Sequence, residues 1–296
     1  MSQIRAQMLR AVREFFVKEG YLEVETPNAT PYLLPEVHIE PIPCAQTFFL
    51  HPSPELYMKQ LLGAGYENIF QICKCFRAHE KGLRHLPEFT MLEWYATLCN
   101  YELLMDECEN LVMFIAQQLL CSSSLTYKGK KIDLCKPWYR ITLEDAFLQF
   151  ASVSLAQALA DENFDTIYVM QVEPKLPCDK PVFIYDYPLE IGAFAKKKAS
   201  NPLLAERFEL YVGGLELANG YSEIDDKDEQ EESLKRASAQ KQHLRKQSYH
   251  IPPTFVDATA MMPNSAGIAF GIDRLAMLFA DTNNIDDVVA FAFDIS

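Results

Sequence analysis

Apolar residues at Ile4, Met8, Ala11, Val12, Phe15 and Phe16 recur every three or four positions, which predicts an amphipathic helix over residues 2–19, ended by Gly20. Residues 21–27, YLEVETP, then alternate as a strand does and stop at proline. The proline-rich stretch 28–50 reads as loop with short strands. An apolar run over residues 69–76 precedes an alternating segment, residues 88–95. In that segment Phe89, Met91, Glu93 and Tyr95 share one face, and Glu88, Thr90, Leu92 and Trp94 the other. The pattern predicts two antiparallel strands joined by a basic loop.

Further along, residues 101–120 carry Leu104, Cys108, Leu111, Val112 and Ile115 at helical spacing. A hairpin is expected around Lys128-Gly129-Lys130, then helical segments over residues 142–172, with Thr142 and Asp145 as a capping-box-like start. Residues 181–188 read as a central strand. Residues 207–223 read as a hairpin turning at Gly213-Gly214, which would set Val212 opposite Leu215, Tyr211 opposite Glu216 and Glu209 opposite Ala218. The mixed-charge run 225–250 is expected to be a solvated helix. In the last strand Ile268, Phe270 and Ile272 form one face, while Gly267, Ala269 and Gly271 leave the other nearly bare. A buried helix with Leu275, Leu278 and Phe279 follows, with Asp273 and Arg274 in its first turn.

The 296 residues, 49% hydrophobic and 23% charged, have the balance of a soluble globular protein. With no bilayer-length apolar run and no signal-like N-terminus, the chain reads as a cytoplasmic protein with no membrane partner. Without an internal repeat or linker, residues 1–296 read as a single domain. A net charge of −14 argues against broad non-specific nucleic-acid binding. The eight cysteines include no CxxC pair and are expected to be reduced, mostly buried thiols. A zinc site of Cys73, Cys75, His79 and His85 matches no usual ligand spacing and is set aside.

Three stretches carry candidate chemistry. The loop over residues 78–87 holds Lys81, Arg84 and His85 around Gly82, which suits an anionic ligand, although a solvated hairpin loop has the same composition. Glu209 and Glu216 fall on one hairpin face as diagonal neighbours, able to converge on a hard cation such as magnesium, or simply to be surface carboxylates. The bare glycine face lets a ligand approach the backbone, or reflects tight packing alone.

The string FRAHEKGLRHLPEFTMLEWY, residues 76–95, resembles motif 2 of the class II aminoacyl-tRNA synthetases, most closely that of the lysyl enzymes. The helix, strand and terminal proline of residues 2–27 resemble motif 1, the family's dimer interface, and GIAFGIDRLAML resembles motif 3. The resemblance implies an α/β (α+β) class II catalytic domain, an antiparallel β-sheet flanked by helices, that uses ATP and Mg2+ and pairs as a homodimer. It assigns the substrate α-amino group to Glu55, the bridge between substrate carboxylate and α-phosphate to Arg77, and the outer phosphates to His85. Phe89 and Arg274 would sandwich the adenine. Glu209 and Glu216 would bind magnesium and Asn219 the substrate carboxylate, while Glu223, Glu93 and Tyr95 would hold the amine ending a lysine-like side chain.

Because the chain begins almost at motif 1, no anticodon-binding domain is expected and tRNA is disfavoured as a partner. The chain is similar instead to stand-alone lysyl paralogues that join lysine, preferentially (R)-β-lysine, to a lysine ε-amine of translation elongation factor P. Ala269 supports this, standing where those paralogues have alanine and the tRNA enzymes usually have glycine. A compact tRNA-aminoacylating enzyme and a catalytically silent regulatory paralogue remain as alternatives. The chain departs from the lysyl FRNE pattern, reading Phe76-Arg77-Ala78-His79 with Glu80 one place later, and Leu86 replaces the usual asparagine.

Overall fold

The computed structural model describes residues 2–192, 194–247 and 249–292. In chain order the first elements are α1 (Ser2–Lys18), β1 (Leu22–Glu23), β2 (Ala29–Thr30), β3 (Ile42–Ala45), β4 (Phe48–Leu50), α2 (Glu55–Gly63), β5 (Ile69–Phe76), β6 (Glu88–Thr97) and α3 (Tyr101–Leu120). A middle section holds β7 (Ser124–Tyr127), β8 (Lys130–Asp133), β9 (Tyr139–Thr142), α4 (Leu143–Phe150), α5 (Leu155–Ala160), α6 (Phe164–Ile167) and β10 (Val182–Pro188). The last are β11 (Lys197–Lys198), β12 (Asn201–Val212), β13 (Leu215–Ser222), α7 (Lys227–His243), α8 (Phe255–Thr259), β14 (Ser265–Gly271) and α9 (Ile272–Phe279).

One large sheet runs in the order β1-β5-β6-β14-β13-β12-β10-β9, with β11 added beside β12. Its pairs are antiparallel except β1 with β5 and β10 with β9. On one face α1 and α3 cover the sheet: Phe16 lies 5.1 Å from Trp94 between ring centroids, and Trp94 lies 6.1 Å from Phe270. Leu104, Leu111, Ile115 and Leu275 join the same core, each such burial contributing about 1.5–3 kcal/mol. The polar edge of Trp94 is satisfied, its Nε1 donating to Glu107 at 2.7 Å. The helix over Tyr101–Leu120 starts where Asn100 accepts the Leu103 N–H, and Thr142 Oγ1 caps the later helix, accepting the Asp145 N–H at 3.1 Å and donating to Asp145 Oδ2 at 2.7 Å.

Several expectations shift. The stretch 21–27 keeps only two strand residues, while residues 28–50 hold short strands as expected, paired as a small sheet, β2-β4-β3. The apolar run 181–188 is not central: β10 is penultimate, and its apolarity arises because Val182 and Ile184 pack into one core cluster while Phe183 packs into another. The charged helix α7 buries Gln230, Ser233, Leu234 and Lys241 against its neighbours and is not fully solvated. The cysteines are all free, but only Cys75, Cys99 and Cys108 are buried, with Cys44, Cys121 and Cys135 exposed. Among the described residues no helix is long and apolar enough to cross a membrane.

Candidate active site

The sheet face opposite α1 and α3 floors a cavity of about 320 Å³. Its side chains come from three adjacent strands in register. Asn219, Ala269 and Glu93 form one rung, Tyr221, Gly267 and Tyr95 the next, and Gly271 pairs with Met91 on the other side. The alternation that buries Leu92, Trp94, Ile268 and Phe270 therefore presents Phe89, Met91, Glu93 and Tyr95 to the cavity beside the bare glycine face. From Tyr95 to Phe89 is six strand residues, about 20 Å. That distance separates an acidic, phenolic end from a basic, aromatic one.

At the acidic end, Glu93 is 2% exposed and accepts from Tyr95 Oη at 2.7 Å and Ser53 Oγ at 2.9 Å. Burial, then the nearby Glu55, push its carboxyl well above the usual carboxylate range. Glu55 accepts from Tyr221 Oη at 2.6 Å, and its own N–H donates to Ser53 Oγ. Glu223 lies beneath this layer, off the cavity wall, with Oε2 2.7 Å from Lys59 Nζ and a buried Oε1 that has no hydrogen-bond partner among the described residues. A Cβ on Gly267 would come within 2.3 Å of Tyr95 Cε1 and 2.6 Å of that Glu223 Oε1. Only glycine lets these two side chains meet under the floor.

The β12–β13 hairpin turns at Gly213 and Gly214, with φ of 58° and 77°. Val212 pairs with Leu215 and Tyr211 with Glu216 as expected, but Glu209 pairs with Asn219 instead of Ala218. Leu217 is the extra residue of a β-bulge, which reverses the parity of β13 beyond it. Glu216, Asn219 and Tyr221 thus share the cavity face. Asn219 Oδ1 accepts from Arg207 Nε at 3.0 Å, which leaves its amide N–H groups to donate elsewhere. Glu209 shares that sheet face as a diagonal neighbour of Glu216, as expected, but does not line the cavity: its Oε1 lies 2.6 Å from Arg207 Nη2 and its Oε2 accepts from Tyr211 Oη at 2.8 Å.

At the basic end the Arg77 guanidinium lies 5.0 Å from the Phe89 ring centroid, and its buried Nε has no partner among the described residues. Arg274 donates to the Glu216 carbonyl at 2.6 Å and to Glu216 Oε2 at 3.2 Å, and contacts His85 Nε2 at 2.7 Å. Desolvation, then this guanidinium, push His85 below the usual imidazole range, so its Nε2 accepts from Arg274 as a neutral ring. His79 takes a left-handed φ of 64° and stands exposed, while Glu80 lines the cavity 3.9 Å from Arg77. The acidic side chain displaced by one place in sequence thereby returns to the site.

A family model described as tRNA synthetases class II (D, K and N) matches residues 1–294. The chain belongs to this class II synthetase family. It is 32% identical to a lysine--tRNA ligase of Clostridium perfringens (strain SM101 / Type A) over 321 aligned positions, covering 97% of this chain and 63% of that protein. To the lysine--tRNA ligase of Variovorax paradoxus (strain S110) it is 35% identical, covering 97% of this chain and 60% of that protein. The chain thus spans less than two thirds of the length of the curated relatives it matches.

Within this class II fold, residues with no assigned role in the pattern also shape the site. Glu36 lines the cavity from the irregular stretch before β3, where no periodicity marks it. Lys59, four residues after Glu55, had a readable i,i+4 ion-pair spacing, but its burial did not. Arg207 positions Asn219 and holds Glu209. Asp273 is structural, accepting the Thr90 N–H at 2.7 Å and tying α9 to β6. For magnesium the fit is unequal. Glu216 reaches the cavity with one oxygen open, as a cation otherwise held by phosphates and water requires, whereas both oxygens of Glu209 are engaged.

Proposed function

We propose that the chain activates lysine or (R)-β-lysine with ATP and transfers the acyl group to a lysine ε-amine of translation elongation factor P. The observation that carries this reading is the continuous floor from the Glu93–Tyr95 end to the Arg77–Phe89 end. An extended diamino acid joined to a nucleotide spans just such a gradient of charge.

A substrate carboxylate is ionised at neutral pH and needs no general base. Its oxygen attacks the α-phosphorus, the bond to the bridging oxygen breaks, and pyrophosphate leaves with that electron pair. The chain contributes positioning and charge neutralisation. The Asn219 amide, fixed by Arg207, donates to the substrate carboxylate, and Arg77 neutralises charge between that carboxylate and the phosphate. Glu93, with Tyr95, receives the distal ammonium over the unpartnered Glu223 Oε1, and Glu55 lies within reach of the second amine. Arg274 and Phe89 flank the base. Magnesium, when bound, supplies charge neutralisation at the phosphates, and Glu216 would hold it. The exposed apolar Val17 and Leu22, in the segment resembling motif 1, support pairing of two copies as a homodimer.

Ala269, on the rung between Asn219 and Glu93, favours the protein acceptor, because its methyl narrows the amino-acid end as in the stand-alone paralogues. Transfer to tRNA is the second reading, favoured by the names of the relatives. The test supplies ATP, magnesium and labelled lysine or β-lysine together with elongation factor P and bulk tRNA, and locates the label. Label on the factor is expected. Label on tRNA establishes the second reading, and no label with no pyrophosphate released overturns both.

A further inference from the structure

A second constellation lies beside the cavity, on the far side of Met91 and Phe89. Cys73 and Cys75 of β5 pair in register with Met91 and Phe89, so both thiols share the sheet face of the cavity. Their sulfurs are 3.8 Å apart. His51, on the segment leading into α2, is 1% exposed and closes the group: one ligand atom from each of His51, Cys73 and Cys75 lies within 4.8 Å of the others. The His79 and His85 rings that sequence spacing brings to mind take no part in this cluster.

The imidazole is prepared in a particular way. Its Nε2 is 2.8 Å from the Lys74 carbonyl, an acceptor only, so a ring proton resides there and Nδ1 is the nitrogen left to act as a ligand. That buried Nδ1 has no hydrogen-bond partner among the described residues. A histidine whose second nitrogen donates to a backbone carbonyl is the usual arrangement behind a metal-bound imidazole.

We propose that His51 Nδ1, Cys73 Sγ and Cys75 Sγ form a Cys2His site for a thiophilic divalent cation, zinc. Tetrahedral zinc with Zn–S bonds of about 2.3 Å sets two sulfurs about 3.8 Å apart, the separation found. On binding, both thiols release their protons and the two thiolates balance the cation's charge. Met91 Sδ, 4.0 Å from Cys75 Sγ, shields one side of the site. The ion would clip the His51–Ser53 segment onto β5. Because Ser53 donates to Glu93, the clip bears on the acidic end of the cavity. The site itself does not depend on the activity proposed above.

The test uses the reduced, metal-free whole chain. Titration with Co2+ should give sulfur-to-cobalt charge-transfer and tetrahedral d–d absorption saturating at one ion per chain, displaced by one equivalent of Zn2+. X-ray absorption of the zinc form should count two sulfurs and one imidazole nitrogen. Cys73→Ser, Cys75→Ser and His51→Gln should each bind more than about 100-fold more weakly. A variant with the exposed Cys44, Cys121 and Cys135 all changed to serine should bind unchanged. Absence of stoichiometric uptake, a sulfur count other than two, or unchanged affinity in Cys73→Ser and Cys75→Ser overturns the proposal. The absorption spectrum of the unaltered chain decides the matter even if a variant misfolds.

Discussion

The Lys59 ammonium sits 2.7 Å from Glu223 Oε2, and both side chains are almost wholly shielded from solvent. Burial alone would drive the lysine toward neutrality, but Glu223 and Glu55, 2.6 Å away, hold it charged and raise its pKa above the ordinary lysine value. Removing one member leaves buried charge without a partner. Lys59→Met should therefore destabilise the fold by about 3–5 kcal/mol in urea denaturation. Adding Glu223→Gln should recover a large part of that loss, and a simple sum of the two single effects would contradict the pairing.

Burial raises the carboxyls of Glu36 and Glu223 to about 7, from an ordinary value of 4.5. Between those values the folded chain binds protons that the unfolded chain has released, so stability falls as pH rises from about 4.5 to about 7 and levels above. Urea midpoints measured along this range should decline, and less steeply in Glu36→Gln.

Burial, then Glu55, push the Glu93 carboxyl well above the usual carboxylate range, so in the proposed role it has to give up a proton to receive an ammonium group. Binding of lysine should release protons at neutral pH, and affinity should rise with pH across the window in which Glu93 would otherwise keep its proton. Calorimetry in buffers of different ionisation heat measures this directly. Proton uptake on binding would contradict the assignment, and Glu93→Gln should abolish the release.

Glu216 engages Arg274 through both its carbonyl and its carboxylate. Glu216→Ala should lower amino-acid-dependent pyrophosphate exchange by about 100-fold or more while the chain stays folded. Near-normal exchange would remove Glu216 from the proposed metal and nucleotide contacts.

Two small residues on one strand should behave oppositely. A Cβ at Gly267 meets Tyr95 and Glu223 below ordinary contact distance, so Gly267→Ala should cost about 1–3 kcal/mol and weaken lysine binding. Ala269→Gly removes one methyl from the rung of Glu93 and Asn219 and should shift preference between lysine and β-lysine by about 10-fold. Competition between the two substrates reads the change.

Much of the floor was legible in the sequence, because strand alternation fixes which side chains share a face: Phe89, Met91, Glu93 and Tyr95 emerge together in the structure, as do Gly267, Ala269 and Gly271. Register beyond the Gly213-Gly214 turn was not, because a bulge changes pairing without changing composition. Glu36 lay in a segment with no period to read. The burial of Lys59 and the joining of His51 to Cys73 and Cys75 are tertiary facts, set by how α2 and its leading segment fold back on β5 and β6.

The register of Asn219, Ala269 and Glu93 makes the amino-acid end part of the sheet's own hydrogen-bond ladder. A local opening that frays the loop between β5 and β6 leaves those three residues where they are, whereas displacing any of them breaks the ladder and with it the core beneath. In the proposed reading, handling of the nucleotide's phosphates can therefore fluctuate on the timescale of a loop. Discrimination between amino acids, in the same reading, is settled once, when the chain folds.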